Sequence, residues 1–378
     1  MKNNPLKQLG TLGQSIWLDY IRRDLMASGG LQRLIEEDGL RGMTSNPSIF
    51  EEAIAESHDY DEDIKAMALQ GKAVPAIYEN LSQRDVQSAA DEFRSLYDGT
   101  DGADGYVSLE VNPHLAHDTK GTIEEARRLW AALGRPNVLI KVPGTAEGLP
   151  AIQQLISEGI SVNVTLLFGL PRYREVAEAY IAGIESRVAQ AKPVKHIASV
   201  ASFFVSRIDV LVDPLLEKSI AQGGKQGDLA KKAHGQVAIA SAKMAYQIYQ
   251  EIFGSARFQK LASQRARFQR LLWASTSTKN PAYSDVKYME ALIGPDTVNT
   301  APMETLDAYR NHGNPKARLE QAVAESRSVM ERLPELGIDI KNMTRKLEDD
   351  GVRKFNEPFD KLMQTLAVRS SPHLAKAS

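Results

Sequence analysis

The sequence predicts a (β/α)8 barrel, in which eight parallel strands close into a cylinder surrounded by helices. Short apolar, β-branched segments alternate with longer helix-period segments along most of the 378 residues, which is typical of parallel strands joined by crossover helices. Eight such strand segments are present, the number that closes a barrel, and polar residues recur at their carboxyl ends, where this fold builds active sites.

The predicted strands span residues 15–21, 39–44, 105–111, 137–142, 161–166, 196–201, 270–275 and 296–301. An open, doubly wound sheet is the structural alternative. However, no Gly-x-Gly-x-x-Gly motif opens a helix after any of these strands, and no Walker-type loop occurs. The usual sign of a nucleotide-binding open sheet is therefore missing.

The helices predicted between these strands include 122–133, 148–158, 171–191 and 229–253. Thr122 is the predicted N-cap of the first, and Pro171 suits the first turn of the third. Residues 213–267 and 315–366 are helical in composition, and we expect both segments to pack outside the barrel. The predicted organisation is one barrel domain over residues 1–366, followed by a flexible tail at 367–378.

Composition is that of a soluble globular protein, with 43% hydrophobic and 25% charged residues. A net charge of −2 gives no indication of a nucleic-acid or membrane partner. The chain has no cysteine, which excludes disulfides, thiolate metal sites and a cysteine nucleophile. The N-terminus has no apolar signal segment and no run is long enough to span a membrane, so we expect a cytoplasmic protein.

Lys141 is the most informative single residue, because it lies inside the apolar run at 137–143. Lysine is almost never fully buried without compensation. Desolvation disfavours an ammonium group and leaves a neutral amine that can attack a carbonyl. The alternative interpretation is an ordinary lysine at a strand end whose head reaches water.

Other predicted strands carry polar residues near their carboxyl ends. The alternation of side chains places these residues on one face of each strand. Glu110 shares a face with Ser108, Asn163 shares one with Thr165, and Asp19 interrupts an apolar strand. Each of these residues alone is commonly an ordinary strand residue. Together with Lys141, in a barrel where inward-facing residues converge, they supply the amine and carboxylates that imine chemistry requires.

A metal site is the other chemistry considered. His114 and His117 are three residues apart and Asp118 follows, but no further ligands cluster nearby in the sequence. We expect no metal site there.

Four sequence blocks, 42–50, 137–148, 163–168 and 202–207, closely resemble the signature motifs of the transaldolase family. The resemblance extends from about residue 17 to residue 363 and implies a (β/α)8 barrel. The implied reaction transfers a dihydroxyacetone unit from sedoheptulose 7-phosphate to glyceraldehyde 3-phosphate. It gives erythrose 4-phosphate and fructose 6-phosphate in the non-oxidative pentose phosphate pathway.

The resemblance also implies the catalytic roles. Lys141 would form an imine with the ketose C2, and Asp19 would take the proton from the C4 hydroxyl as the C3–C4 bond breaks. Glu110 would assist dehydration and hydrolysis through a water held by Thr165. A protonated imine withdraws electrons itself, so no metal or organic cofactor is expected.

The implied substrate-binding residues hold either the dihydroxyacetone unit or the phosphate. Asn46 and Asn163 would bind the dihydroxyacetone unit. Arg207 would hold the phosphate, and the residues around it would be Ser202, Ser275 and Lys279. Two residues depart from the family pattern: Ser206 stands where many members have glycine, and Lys279 lies where an arginine often follows the seventh strand.

Two other functions stay open at this point: a fructose 6-phosphate aldolase that releases dihydroxyacetone, and a non-catalytic barrel that only binds sugar phosphates. A monomer or a homodimer is expected, with phosphorylated sugars as partners.

Overall fold

The computed structural model describes residues 4–374 and confirms the closed barrel. Eight parallel strands follow one another around it in chain order, and the first pairs with the last. The strands are β1 Gln14–Asp19, β2 Gly42–Thr44, β3 Tyr106–Glu110, β4 Val138–Pro143, β5 Val162–Leu167, β6 Ser199–Phe204, β7 Arg270–Ala274 and β8 Thr297–Ala301.

Every predicted strand is present, and the largest displacement is at β6, which begins and ends three residues later than predicted. The chain turns before it, because the Ile197 N–H donates to the Val194 carbonyl at 3.1 Å. Phe203 and Phe204 extend the strand by pairing with Trp273 and Ala274 of β7. Nearly all strand residues are buried on both faces, as expected where helices cover a parallel sheet.

Helices surround the strands. They are α1 Pro5–Thr11, α2 Arg23–Ala27, α3 Gly30–Arg33, α4 Pro47–Ala55, α5 Asp61–Leu69, α6 Val74–Glu92, α7 Arg94–Gly99, α8 Thr119–Leu133, α9 Gly148–Glu158, α10 Leu170–Ala189, α11 Ser206–Gln222, α12 Gly224–Ala233, α13 Val237–Phe253, α14 Ala256–Ala262, α15 Lys287–Ala291, α16 Met303–His312, α17 Val323–Arg332 and α18 Ile340–Leu374. A π-helical turn spans Leu34–Asp38, and 3-10 turns span Pro113–His117 and Leu333–Leu336. No helix in the described range combines the length and apolarity needed to cross a membrane.

Two helix predictions need correction. Thr122 does not cap α8. The cap is Asp118, whose carboxylate accepts the Gly121 N–H at 3.0 Å. Thr122 lies inside the first turn of α8, and its hydroxyl donates to the Leu115 carbonyl. The predicted helix over 229–253 is divided into α12 and α13 at Gly235, whose φ of +67° favours glycine. Pro171 lies in the first turn of α10, as predicted.

The 35-residue helix α18 differs most from expectation. It packs on α4, α5, α6 and the Pro113–His117 turn and reaches β5. It therefore lies across the carboxyl end of the barrel instead of only on its exterior. The tail predicted to begin at residue 367 is still helical through Leu374, and Arg369 forms an ion pair with Asp61 of α5. Residues 375–378 lie outside the described residues, and the single domain over 1–366 stays a prediction.

Candidate active site

Lys141 lies in β4 between Glu110 of β3 and Asn163 of β5, which are its register partners. Its side chain lines a cavity at the carboxyl end of the barrel, yet the residue is only 4% exposed. The Nζ atom donates to the Ser45 carbonyl at 3.0 Å and lies 3.4 Å from Glu110 Oε2. The alternative of a lysine head in bulk water is therefore wrong.

Glu110 lies directly beside this amine and is 8% exposed. Burial raises the pKa of its carboxyl to about 7, although the positive charge of Lys141 opposes the shift; the nearby Asp19 adds to it. Within the described residues, Oε2 has no hydrogen-bond partner and is in contact with the amine as an ion pair. A carboxyl with these properties can both give and take a proton near neutral pH.

Asp19 ends β1 and faces the same cavity. Its Oδ1 accepts the Thr44 hydroxyl at 2.7 Å, and that hydroxyl lies 2.7 Å from the hydroxyl of Thr300. Burial raises the pKa of Asp19, while the charge of Lys141 and the Thr44 hydrogen bond oppose the shift. The carboxylate is thus oriented by the Thr44 hydroxyl and made more basic by its surroundings, as suits a proton acceptor.

Thr165 of β5 also lines the cavity, and it is fully buried. Its Oγ1 has no hydrogen-bond partner in the part of the chain that the structure describes. A buried hydroxyl without a protein partner is expected to bind a water or a ligand, since leaving it unpaired costs about 1–3 kcal/mol. This position is consistent with the predicted role of holding a water.

Of the two residues predicted to bind the dihydroxyacetone unit, Asn46 lines the cavity and Asn163 does not. Asn163 is fully buried behind the cavity wall: its Nδ2 donates to Ser108 Oγ at 3.0 Å and its Oδ1 accepts the Ser202 hydroxyl at 2.7 Å. Ser202 itself lines the cavity, as does Asn46. Asn46 caps α4 by accepting the Ile49 N–H at 3.0 Å, which leaves its amide Nδ2 for a ligand. Direct contact of Asn163 with substrate stays a prediction.

The predicted phosphate-binding residues line the same cavity, which has a volume of about 430 Å³. The Arg207 guanidinium stacks over the Phe204 ring at 5.4 Å, and no carboxylate in residues 4–374 lies within 4.0 Å of it. Burial lowers the pKa of Arg207, with Asp350 acting in the opposite direction. Ser275 Oγ lies 3.0 Å from Ser206 Oγ, and Lys279 Nζ donates to Ser277 Oγ at 2.8 Å.

Helix α18 contributes a part of the site that the sequence does not predict. Phe355 and Lys354 line the cavity, and the Phe355 ring centroid lies 5.5 Å from Lys141 Nζ. The sequence predicts helical structure over residues 315–366, but helical composition does not show which surface a helix covers. No signal in the sequence alone identifies these two residues.

The residues considered for a metal site have separate partners. His114 pairs with Asp360 at 2.7 Å, His117 pairs with Glu147 at 3.0 Å, and Asp118 caps α8. Across residues 4–374, no group of three or more potential metal ligands comes together.

Comparison with known proteins gives a consistent relationship. A model of the family described as Transaldolase/Fructose-6-phosphate aldolase matches residues 16–366. The chain is 48% identical over 371 residues to Transaldolase 2 of a Nostoc species, covering 97% of each protein. It is 45% identical over 365 residues to the transaldolase of Saccharopolyspora erythraea, covering 96% of this chain and 97% of the relative. It is also 45% identical over 360 residues to that of Thiobacillus denitrificans, covering 95% and 99%. The resemblance inferred from the four motifs is thereby confirmed, and the chain belongs to the transaldolase/fructose-6-phosphate aldolase family.

Proposed function

We propose that this protein is a transferase that moves a dihydroxyacetone unit from sedoheptulose 7-phosphate to glyceraldehyde 3-phosphate through an imine on Lys141. The products are erythrose 4-phosphate and fructose 6-phosphate, in the non-oxidative pentose phosphate pathway. Transaldolase is the activity named for the relatives described above. The observation that carries the assignment is the buried Lys141 amine, 3.4 Å from Glu110 in a cavity that Asp19 also lines.

Imine formation begins when the Lys141 amine, in its unprotonated form, attacks the C2 carbonyl of the ketose. The resulting carbinolamine loses water with the help of a proton from Glu110, which is positioned beside the amine. With a pKa of about 7, Glu110 can give that proton and take one back during hydrolysis at the end of the cycle. A water bound by the Thr165 hydroxyl would relay these protons.

Carbon–carbon cleavage follows. Asp19 takes the proton of the C4 hydroxyl, the C3–C4 bond breaks, and its electron pair moves into the protonated imine to give an enamine. The aldose phosphate then leaves as an aldehyde. An acceptor aldehyde reverses these steps, and the carbonyl carbon of the acceptor becomes C4 of the new ketose. The protonated imine is the electron sink throughout.

Arg207, Ser275 and Lys279 are the groups that we propose to hold the phosphate. A guanidinium without a carboxylate partner can bind a phosphate through two parallel hydrogen bonds, whereas lysine contributes a point charge. Lys279 and Ser275 line the same cavity as Arg207. We also propose a cytoplasmic location, which the absence of cysteine and the metabolic family support.

Borohydride trapping tests the imine. Fructose 6-phosphate plus borohydride should attach a three-carbon adduct to Lys141, which peptide mass spectrometry would locate. The Lys141→Met variant should form none. If the wild-type protein forms no adduct at this residue, the chain is a non-catalytic sugar-phosphate-binding barrel.

The acceptor requirement separates a transferase from a lyase. Consumption of fructose 6-phosphate should be much faster with erythrose 4-phosphate present than without it, because the enamine then has an aldehyde to attack. Equal rates, with free dihydroxyacetone accumulating, would instead show an aldolase.

A further inference from the structure

Helix α18 places an aromatic ring over the reactive amine. Phe355 is 5% exposed and lines the cavity, with its ring centroid 5.5 Å from Lys141 Nζ. A three-carbon unit bonded to Nζ would occupy the same cavity and lie against this ring. None of the chemical steps described above uses Phe355.

The ring is held in place by the way α18 is anchored. Glu348 pairs with Arg172 of α10 at 3.1 Å on one side of Phe355, and Lys361 pairs with Glu51 of α4 at 2.8 Å on the other. These ion pairs tie the helix to two different sides of the barrel mouth.

One turn before the ring, Gly351 lets the helix approach β5 closely. A Cβ atom at this position would lie 3.0 Å from Leu166 Cδ2 and 3.3 Å from the Phe168 ring. The close approach brings the next turn of α18, and with it Phe355, down to the cavity. The ring is thus a part of the cavity wall that is carried by a helix and not by a loop.

We infer that Phe355 is a specificity-determining residue that keeps bulk water away from the enamine, so that the dihydroxyacetone unit is transferred and not released. This inference rests on the proposed function, because it requires the enamine on Lys141. An aromatic ring supplies apolar surface with no proton to donate, and its face can also stabilise the positively charged imine.

The two fates of the enamine differ in what its C3 carbon bonds to. In transfer, C3 forms a bond to the carbonyl carbon of an acceptor aldehyde, whose oxygen takes up a proton. In release, C3 takes a proton from water, and the resulting imine is hydrolysed by a second water to dihydroxyacetone and the free Lys141 amine. Excluding bulk water slows the protonation. An acceptor aldehyde can still enter the cavity, which Arg207 and Lys279 also line.

The partition between these fates is the test. With fructose 6-phosphate alone, we expect Phe355→Ala to release free dihydroxyacetone faster than wild type by on the order of tenfold, because water reaches the enamine. Phe355→Leu retains apolar bulk and should raise release by only about two- to threefold. Both variants should still form the borohydride adduct on Lys141.

Phe359 is the matched control, since it is on the same helix one turn later and 9% exposed. Its ring packs on Tyr78 and His114 outside the cavity, with centroid distances of 5.5 and 5.9 Å. Phe359→Leu should cost similar packing energy yet leave the ratio of release to transfer unchanged.

The outcomes separate the two proposals. Without a Lys141 adduct in the wild-type protein, the proposed function fails. Normal adducts in wild type and Phe355 variants, with an unchanged partition ratio, would overturn the shielding role alone. A rise of the same size in Phe359→Leu would do so too, because loosened helix packing would then explain it. If Phe355→Ala does not fold, as judged by circular dichroism, Phe355→Leu against Phe359→Leu decides the question.

Discussion

At the scale of single residues, the site depends on ionisable groups that are buried where water cannot solvate their charged forms. Lys141, Glu110 and Asp19 lie on three different strands, and the positive charge of Lys141 acts on both carboxyls. Burial raises the pKa of both carboxyls, and the ammonium form of the lysine limits that rise. The alternation that places these side chains inward is a property of each strand alone. Their electrostatic interaction, by contrast, requires the closed barrel that brings the three strands together.

Glu110 makes folding stability depend on pH. Its pKa of about 7 in the folded protein is above the value of 4.5 for an unburied glutamate, so the folded state binds this proton more tightly. The stability that this provides is complete below pH 4.5 and is lost as the pH rises through 7. Relative to wild type, the free energy of unfolding of Glu110→Gln should therefore rise by about 1–3 kcal/mol between pH 4.5 and 8.

Urea denaturation followed by circular dichroism at both pH values would measure this difference. Glu62→Gln, which changes a side chain that is 90% exposed, is the control and should follow the wild-type curve. Parallel curves for wild type and Glu110→Gln would contradict the raised pKa.

At the scale of elements, helix ends carry part of the site. Asn46 terminates the β2–α4 connection and has two roles: its oxygen caps α4, and its side chain lines the cavity. The capping role was not predicted, and the predicted cap Thr122 does not act as one. Both residue types are suitable caps, and the tertiary contacts around each decided which was used.

Two substitutions separate the roles of Asn46. Asn46→Ala should lower the free energy of unfolding by about 1 kcal/mol, since it removes the cap of α4. Asn46→Ser retains a capping oxygen and should change stability by less than about 0.5 kcal/mol. Both variants lack the amide donor, so both should raise KM for fructose 6-phosphate. Steady-state kinetics beside urea denaturation would show this, and a normal KM in Asn46→Ser would leave Asn46 as a cap only.

At the scale of the whole molecule, barrel closure requires the strands to approach each other around a filled interior. Trp17 is two residues before Asp19 on the same face of β1 and is fully buried. Its indole lies against Gly42 of β2, where a Cβ atom would be 2.6 Å from the ring. The glycine at this position therefore permits the indole to fill the barrel below the catalytic residues.

Gly42→Ala should destabilise the protein by about 1–3 kcal/mol, because the added methyl group overpacks the interior against Trp17. The double variant Gly42→Ala/Trp17→Phe should lose less than the sum of the two single changes, since a smaller ring makes room. Gly10→Ala is the control: its nearest neighbour would be 4.0 Å away, and it lies in α1, where alanine is favourable. Additive effects in a thermal-unfolding cycle would argue against the clash.

The sequence by itself determined the eight strands, the inward faces of Lys141 and Glu110, and the family. Local periodicity and short motifs are sufficient to predict these features, because a strand alternates its side chains wherever it lies in the fold. Only the tertiary structure decided that Asn163 stands behind Ser202, that Asp118 caps α8, and that α18 brings Phe355 to the amine. The hydrophobic effect is non-directional. The apolar face of a helical segment therefore predicts that the helix packs on other elements, but it does not predict which elements these are.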